Sequence, residues 1–351
     1  MKSTLQLASA VLLGSLALSS QSAFAADKLP YQPVTLIHNI ALPNVEKGDF
    51  DHFAVDLKRG HLFVSAEVNH SVEMFDLKSG EHLKSLDGYK TPHSLAFVPE
   101  KDELLVADGG DSALDVVSAE DYHRIDRIQM IDGSATTHGD SPDAAYYDAA
   151  NRLYYIGNGG ISANLQTSKI SIYSVDQNKL IGDIDIPCNN VEAIGIDNNT
   201  HKLFVDMRDK KQVGLVDLNT KQLVKTFDAP GMQLNTTLVV DPKSRRVFVG
   251  GRKPGILYIF DEDGKLVTQK SMIDIGDDMN WDPMMKRLYI SGSQGLSIFH
   301  QDTSDTYTEM ANIPTNGGKT STYVPSVHQF YVIHPKTTID GSGLLVFHVN
   351  N

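Results

Sequence analysis

Short apolar runs separated by polar turns recur along the whole chain, and no segment keeps a helical period for any length. One run returns at seven places: Leu62-Phe63-Val64, Leu104-Leu105-Val106, Leu153-Tyr154-Tyr155, Leu203-Phe204-Val205, Val247-Phe248-Val249, Leu288-Tyr289-Ile290 and Phe330-Tyr331-Val332. The copies start 42, 49, 50, 44, 41 and 42 residues apart. Before most copies stands another short apolar strand and a polar turn, as in Val239-Val240-Asp241-Pro242-Lys243-Ser244-Arg245-Arg246. After each comes a glycine-rich or polar loop and a third strand, at 72–77, 114–117, 170–175, 213–218, 256–260, 296–299 and 344–349. A fourth strand follows in six copies, for example at 222–227.

Four short strands per repeat, rich in β-branched and aromatic residues and joined by Asp, Asn, Gly, Ser and Pro turns, predict an all-β, seven-bladed β-propeller of four-stranded antiparallel blades. The seventh copy stops after its third strand, and residues 34–40 form a strand that has no partner before the first copy. That strand is expected to complete the last blade from outside, closing the ring and covering a sheet edge.

Segments such as Leu203-Phe204-Val205 through Val216-Asp217-Leu218-Asn219-Thr220-Lys221, and Leu62-Phe63-Val64 through Phe75-Asp76-Leu77-Lys78-Ser79-Gly80, resemble the YVTN-repeat β-propellers (YncE-like, exported bacterial type). The resemblance spans nearly all of the chain after residue 25. It implies the fold and leaves function open, because propellers host binding modules, lyases, lactonases and oxidoreductases alike.

Residues 1–25 read as a signal peptide. Lys2 precedes a short apolar run at 5–19, and Ala23-Phe24-Ala25 gives a small-x-small cleavage pattern. A single propeller domain at 26–351 and a periplasmic or secreted location are expected, with no membrane span, because no run approaches the roughly 20 apolar residues a span needs. Of 31 basic residues Lys2 leaves with the leader, so 30 face 44 acidic ones and the charge becomes −14. That field opposes nucleic acid, whose binding rests on neutralising phosphates. Cys188 is the only cysteine, which excludes an internal disulfide. A monomer is expected.

Several polar residues belong to the scaffold on this reading. Asp56, Asp148, Asp197, Asp241 and Asp282 start the turn after the first strand, while Asp76, Asp217, Asp261, His300 and His348 end the third. Such side chains bond their own turn backbone. Trp281, beside Asp282, reads as packing, and Cys188 as a bystander.

Five residues before the turn Asp, each blade presents a polar side chain where the chain enters its innermost strand: Asp51, His93, Asp143, Glu192, Thr236, Asp277 and Thr320. Their neighbours are His52, Asp140, Asn190, Asn235, Asp278 and Asn280. In a propeller these positions converge on the axis. One reading is a solvated channel mouth. The other is a divalent cation site at Glu192, Asp277, Asp51 and Asp143, since crowded carboxylates repel one another unless a cation or shared protons intervene. Oxygen donors favour Ca²⁺; a direct histidine ligand would favour Zn²⁺ or another transition metal.

On the same face Arg208 and Arg252 occupy equivalent loops of neighbouring blades, with Lys210, Lys211 and Lys253 beside them. They read either as guanidinium forks for an anionic ligand, together with Asn190 and Asn235, or as surface charge paired to Asp206 or Asp209. The longer, glycine-rich loop at 157–169 is a candidate flap.

Two functions follow. The first is a propeller that binds a small anionic ligand, or an envelope protein, with a divalent metal and without catalysis. The second is an enzyme similar in outline to the calcium-dependent lactonase propellers, or to metal-using lyases. That resemblance implies Glu192, Asn235 and Asp277 as ion ligands and His93 or His52 as general base.

Overall fold

The computed structural model describes residues 31–45, 48–132, 141–337 and 341–351. The expected leader and Asp140 lie outside them. Seven four-stranded antiparallel sheets make up the described chain, and its helical turns are five short 3-10 segments. Six blades are continuous in sequence, at 53–87, 92–129, 145–186, 191–227, 235–271 and 276–313. The seventh takes three strands from 320–349, and Val34–Ala41 pairs antiparallel with Gly343–Val349 as its outermost strand. The N-terminal strand thus closes the ring as the repeat pattern requires. Among the described residues no helix is long and apolar enough to cross a membrane.

The blades form where the pattern alternates short β-rich runs with turn chemistry. The Asp56 carboxylate accepts hydrogen bonds from the backbone N–H of Lys58 at 2.9 Å and of Arg59 at 3.1 Å. Asp148, Asp197, Asp241 and Asp282 cap the same turn in their own blades, each almost fully buried. Asp76, Asp217 and Asp261 do likewise at the end of the third strand. Each first turn ends in a left-handed residue: Gly60, Asp102, Arg152, His201, Arg245, Lys286 and His328. Only blade one uses glycine there, so the other six pay the cost of a Cβ at positive φ and rely on the turn's hydrogen bonds to hold it.

Stability is distributed between neighbouring blades. Leu62, Val64 and Phe75 of blade one share an apolar cluster with Tyr331, Ile333, Leu344 and Val346 of blade seven. The Tyr331 hydroxyl donates to the Leu77 carbonyl, and Gln329 Nε2 donates to that of Lys78 at 3.2 Å. Trp281 packs on Phe248 at a ring-centroid separation of 5.4 Å, and Cys188 is fully buried. Both act as scaffold.

Candidate functional site

The entrance positions are built by irregularity in the innermost strands. The inner ladder shifts register between Pro92 and Leu95, Val191 and Ile194, Asn235 and Thr237, and Gly276 and Asp278. His93, Glu192, Thr236 and Asp277 fall in these interruptions. A bulge frees a residue from the alternation of the strand and re-aims its side chain. In blade one the pairing runs on before the strand begins: Asp51 N–H donates to Ser65 O at 3.2 Å and His52 N–H to Ser65 Oγ at 3.0 Å.

These residues surround a cavity of about 390 Å³. Its charged lining consists of seven carboxylates (Asp49, Asp51, Glu67, Asp143, Glu192, Asp277, Asp278), three cations (Arg208, Arg252, Lys319) and the imidazoles of His52 and His93. Carboxylates outnumber the cationic side chains seven to three, and seven to five when both imidazoles are protonated.

The charges are arranged asymmetrically. On the side of blades one to three, Asp51, His93 and Asp143 bring ligand atoms within 4.8 Å of one another. His93 Nδ1 lies 3.1 Å from Asp51 Oδ2 and 3.7 Å from Asp143 Oδ1. His93 is buried, and its Nε2 has no hydrogen-bond partner among the described residues. The other side carries ion pairs. Arg208 Nη1 meets Glu192 Oε1 at 2.5 Å, and Arg252 pairs with Asp277. Lys319 Nζ joins them, 2.7 Å from Asp277 Oδ2 and 3.2 Å from Asp49 Oδ1.

Burial and charge act against each other on the first side. Burial would depress the His93 imidazole, but its hydrogen bond to Asp51 and the charge of Asp143 prevail and raise it to about 10. His52 lies 3.5 Å from Asp51 Oδ1 and 3.4 Å from Asp278 Oδ1. Burial opposes its protonation too, yet these carboxylates raise it to about 10. Asp51, which burial would push up, is held well below the usual carboxylate range by the two imidazoles. Burial pushes Asp143 well above that range, and the charges of Asp51 and Glu192 add to the push. Space between one imidazole nitrogen and two carboxylates must hold positive charge, either a proton or a metal ion. Two carboxylates and an imidazole are a donor set that suits a divalent cation.

The expected site residues divide accordingly. Asp51 and Asp143 stand in the metal-competent group, and His93, expected as a base, stands there with them. Glu192 and Asp277, expected as ligands, are neutralised by Arg208 and Arg252. Those arginines pair with these mouth carboxylates and not with Asp206 or Asp209. Asn190 lines the cavity. Asn235 does not: it is fully buried, and its Nδ2 donates to Asp206 Oδ1 at 2.9 Å and Gln212 O at 3.0 Å. Burial raises the Asp206 carboxyl well above its usual range, only partly offset by that amide. Thr320 donates to Phe50 O at 2.8 Å, and Asn280 ties blade six to Ser321 and Tyr323. His52 is a clamped cation between two acids, a state opposed to service as a base. The loop at 157–169 forms one wall, with Ile161 on the cavity; Ile161 N–H donates to Asn189 O at 2.8 Å and Gly159 N–H to Ser141 Oγ at 2.8 Å. Glu67 and Lys319 are lining residues that the entrance register did not pick out.

No protein-family model matches the chain, and no curated protein matches it. Solved structures do. A chain of the Mitotic Checkpoint Complex crystal structure aligns with a TM-score of 0.73 at 14% identity, over 97% of this chain and 99% of that one. A chain of Kuenenia stuttgartiensis hydrazine synthase aligns with a TM-score of 0.68 at 16% identity, over 87% of this chain and 98% of that one. At such identities the likeness defines a class, the seven-bladed β-propeller, and brings neither activity nor partner with it.

Proposed function

We propose that this chain is an exported propeller of the YVTN-repeat type that holds a divalent cation at its channel mouth through Asp51, His93 and Asp143 and binds a small anionic ligand beside it. The observation that carries the reading is the convergence of those three side chains, from three consecutive blades, within 4.8 Å in a cavity with excess negative charge. The imidazole in the group favours Zn²⁺ or another transition ion over Ca²⁺, whose shells are built from oxygen. An anion coordinated to that ion would face the wall of Arg208, Arg252 and Lys319, exchanging with Glu192 or Asp277 for a guanidinium fork. Binding is preferred to hydrolysis because His93 is committed to the ion and His52 is clamped between Asp51 and Asp278, which leaves a lactonase-like reaction without a free imidazole base. Export rests on Lys2, the apolar run and the Ala23-Phe24-Ala25 pattern.

Equilibrium dialysis of the protein against Zn²⁺, Mn²⁺ and Ca²⁺ tests the reading. One ion per chain is expected for the parent, bound at least about tenfold more weakly by Asp143→Asn, since a ligand change costs no less than an outer-shell one. Uptake of no ion by the parent, or uptake by Asp51→Asn and Asp143→Asn that equals the parent's, would contradict it.

A further inference from the structure

Four carboxylates among the described residues have no exposure to solvent: Asp56, Asp108, Asp115 and Asp206. The first three meet cations. Arg59 lies 2.9 Å from Asp56, and Arg127 lies 2.6 Å from Asp115 and 3.5 Å from Asp108, which also accepts from the N–H groups of Lys90 and Thr91. Asp206, near the end of the second strand of blade four, meets no cation among the described residues. Its donor is a neutral amide of the next blade: Asn235, which turns away from the cavity, brings Nδ2 to 2.9 Å from Asp206 Oδ1. Asp206 Oδ2 and Asn235 Oδ1 are both buried without a hydrogen-bond partner among the described residues.

The strand of Asp206, Lys202–Met207, lies against Val191–Asp197, Gln212–Asp217 and Asn235–Asp241. Asp197 and Asp217 are ladder partners of Lys202 at the other end of that strand, and Asp241 stands at the far end of its own. Arg208 and Lys210, in the turn that follows, pair with Glu192 and Asp209. Glu192 is the charged neighbour that acts on Asp206, and it adds to burial in raising the carboxyl. An ionised carboxylate cut off from water needs a cation or several donors, and one amide N–H is neither. A proton on Asp206 removes the charge and turns an orphaned acceptor into a donor. The contact is also a joint, because Asn235 Nδ2 gives its second hydrogen to Gln212 O of blade four at 3.0 Å.

We propose that Asp206 is a neutral carboxylic acid in the folded protein, which makes the joint between blades four and five an alkaline-sensitive lock. The acid holds the joint closed; ionisation puts an unpaired charge beside Glu192, two residues before Arg208 of the cationic wall. The lock is independent of any cation at the mouth.

Urea midpoints of the full propeller and of Asp206→Asn, measured between about pH 5 and pH 9, test it. A carboxyl whose folded pKa lies above its unfolded value of about 3.9 contributes stability that is complete below the unfolded value and is lost as pH rises through the folded one. Within that window the folded-to-unfolded ratio of the parent should fall about tenfold per pH unit relative to Asp206→Asn, which keeps the shape without the charge. The gap should therefore move in the variant's favour as pH rises. A second reading needs no change at 206: infrared spectra of protein carrying aspartate labelled with heavy carbon at the side-chain carboxyl. The band of a protonated acid should persist at neutral pH in Asp143→Asn, which removes the other aspartate that burial drives to the neutral form. A gap that stays constant with pH, or an Asp143→Asn spectrum without the band, overturns the proposal.

Discussion

Ring closure can be tested at a single residue of the N-terminal strand. Val34 is 4% exposed and packs with Tyr289, Leu296 and Ile298 of blade six and Phe330, Phe347 and Val349 of blade seven. Two positions along the same strand, Leu36 is 51% exposed. Val34→Ala removes two buried carbons, worth about 0.8 kcal/mol each, and leaves a small cavity, for a total of roughly 2 kcal/mol. Leu36→Ala removes more carbon but from solvent, and should stay within about 0.5 kcal/mol. Urea denaturation measures both; the expectation is a lower midpoint for Val34→Ala at unchanged slope. Deleting residues 26–41, which removes the strand, should cost more than Val34→Ala. Equal midpoints for Val34→Ala and Leu36→Ala, or a deletion that leaves stability unchanged, would refute closure by this strand.

Two further outcomes follow from the electrostatics. A small carboxylate or phosphate found to bind the metal-loaded protein should bind about one to two decades more weakly to Arg208→Ala or Arg252→Ala, as loss of a charged hydrogen bond of roughly 1.5–3 kcal/mol requires; affinity indifferent to both arginines would remove the ligand half of the proposal. Glu73, 1% exposed, accepts hydrogen bonds at 2.6 Å from Ser71, Ser85 and His82. Burial would raise its carboxyl, but these partners outweigh it and lower the pKa below 4.5. A depressed folded-state pKa contributes stability above the unfolded carboxylate value that is lost as pH falls through the folded one. Glu73→Gln should therefore flatten the acid limb of the stability curve below about pH 5, as urea midpoints at a series of pH values would show, and an unaltered limb would contradict the assignment.

The fold was legible because the apolar strand returns seven times, each copy preceded by a tight turn, and five of those seven turns open on Asp. The closing strand was legible as an unpartnered strand at one end facing an incomplete blade at the other. Counting back from the turn Asp located Asp51, Asp143, Glu192 and Asp277 on the cavity, and the aligned turn of blade two located His93, because the turns hold the inner strands in common register. The same count misplaced Thr320, and its neighbours Asn235 and Asn280 also turn away. Alternation within an inner strand is broken at the bulges, and which side chain a bulge turns to the axis depends on packing against the next blade. The partners of Arg208 and Arg252 were sought among sequence neighbours, Asp206 and Asp209, whereas the loop geometry delivers the guanidinium groups to entrance carboxylates. Glu67 was hidden by its sign: a search for cations in the loops after the second strand passes over an acid at the identical position.

On the proposed reading a metal ion, when one is available, supplies the positive charge between Asp51, His93 and Asp143. Crystals of the protein grown with Zn²⁺, with diffraction recorded on both sides of the zinc absorption edge, test it most directly. One anomalous peak is expected at the mouth, within bonding distance of an imidazole nitrogen of His93 and of the Asp51 and Asp143 carboxylates, and it should be lost in Asp143→Asn. A mouth without an anomalous peak at saturating Zn²⁺, or a peak at Glu192 and Asp277 with the triad unchanged, would contradict it.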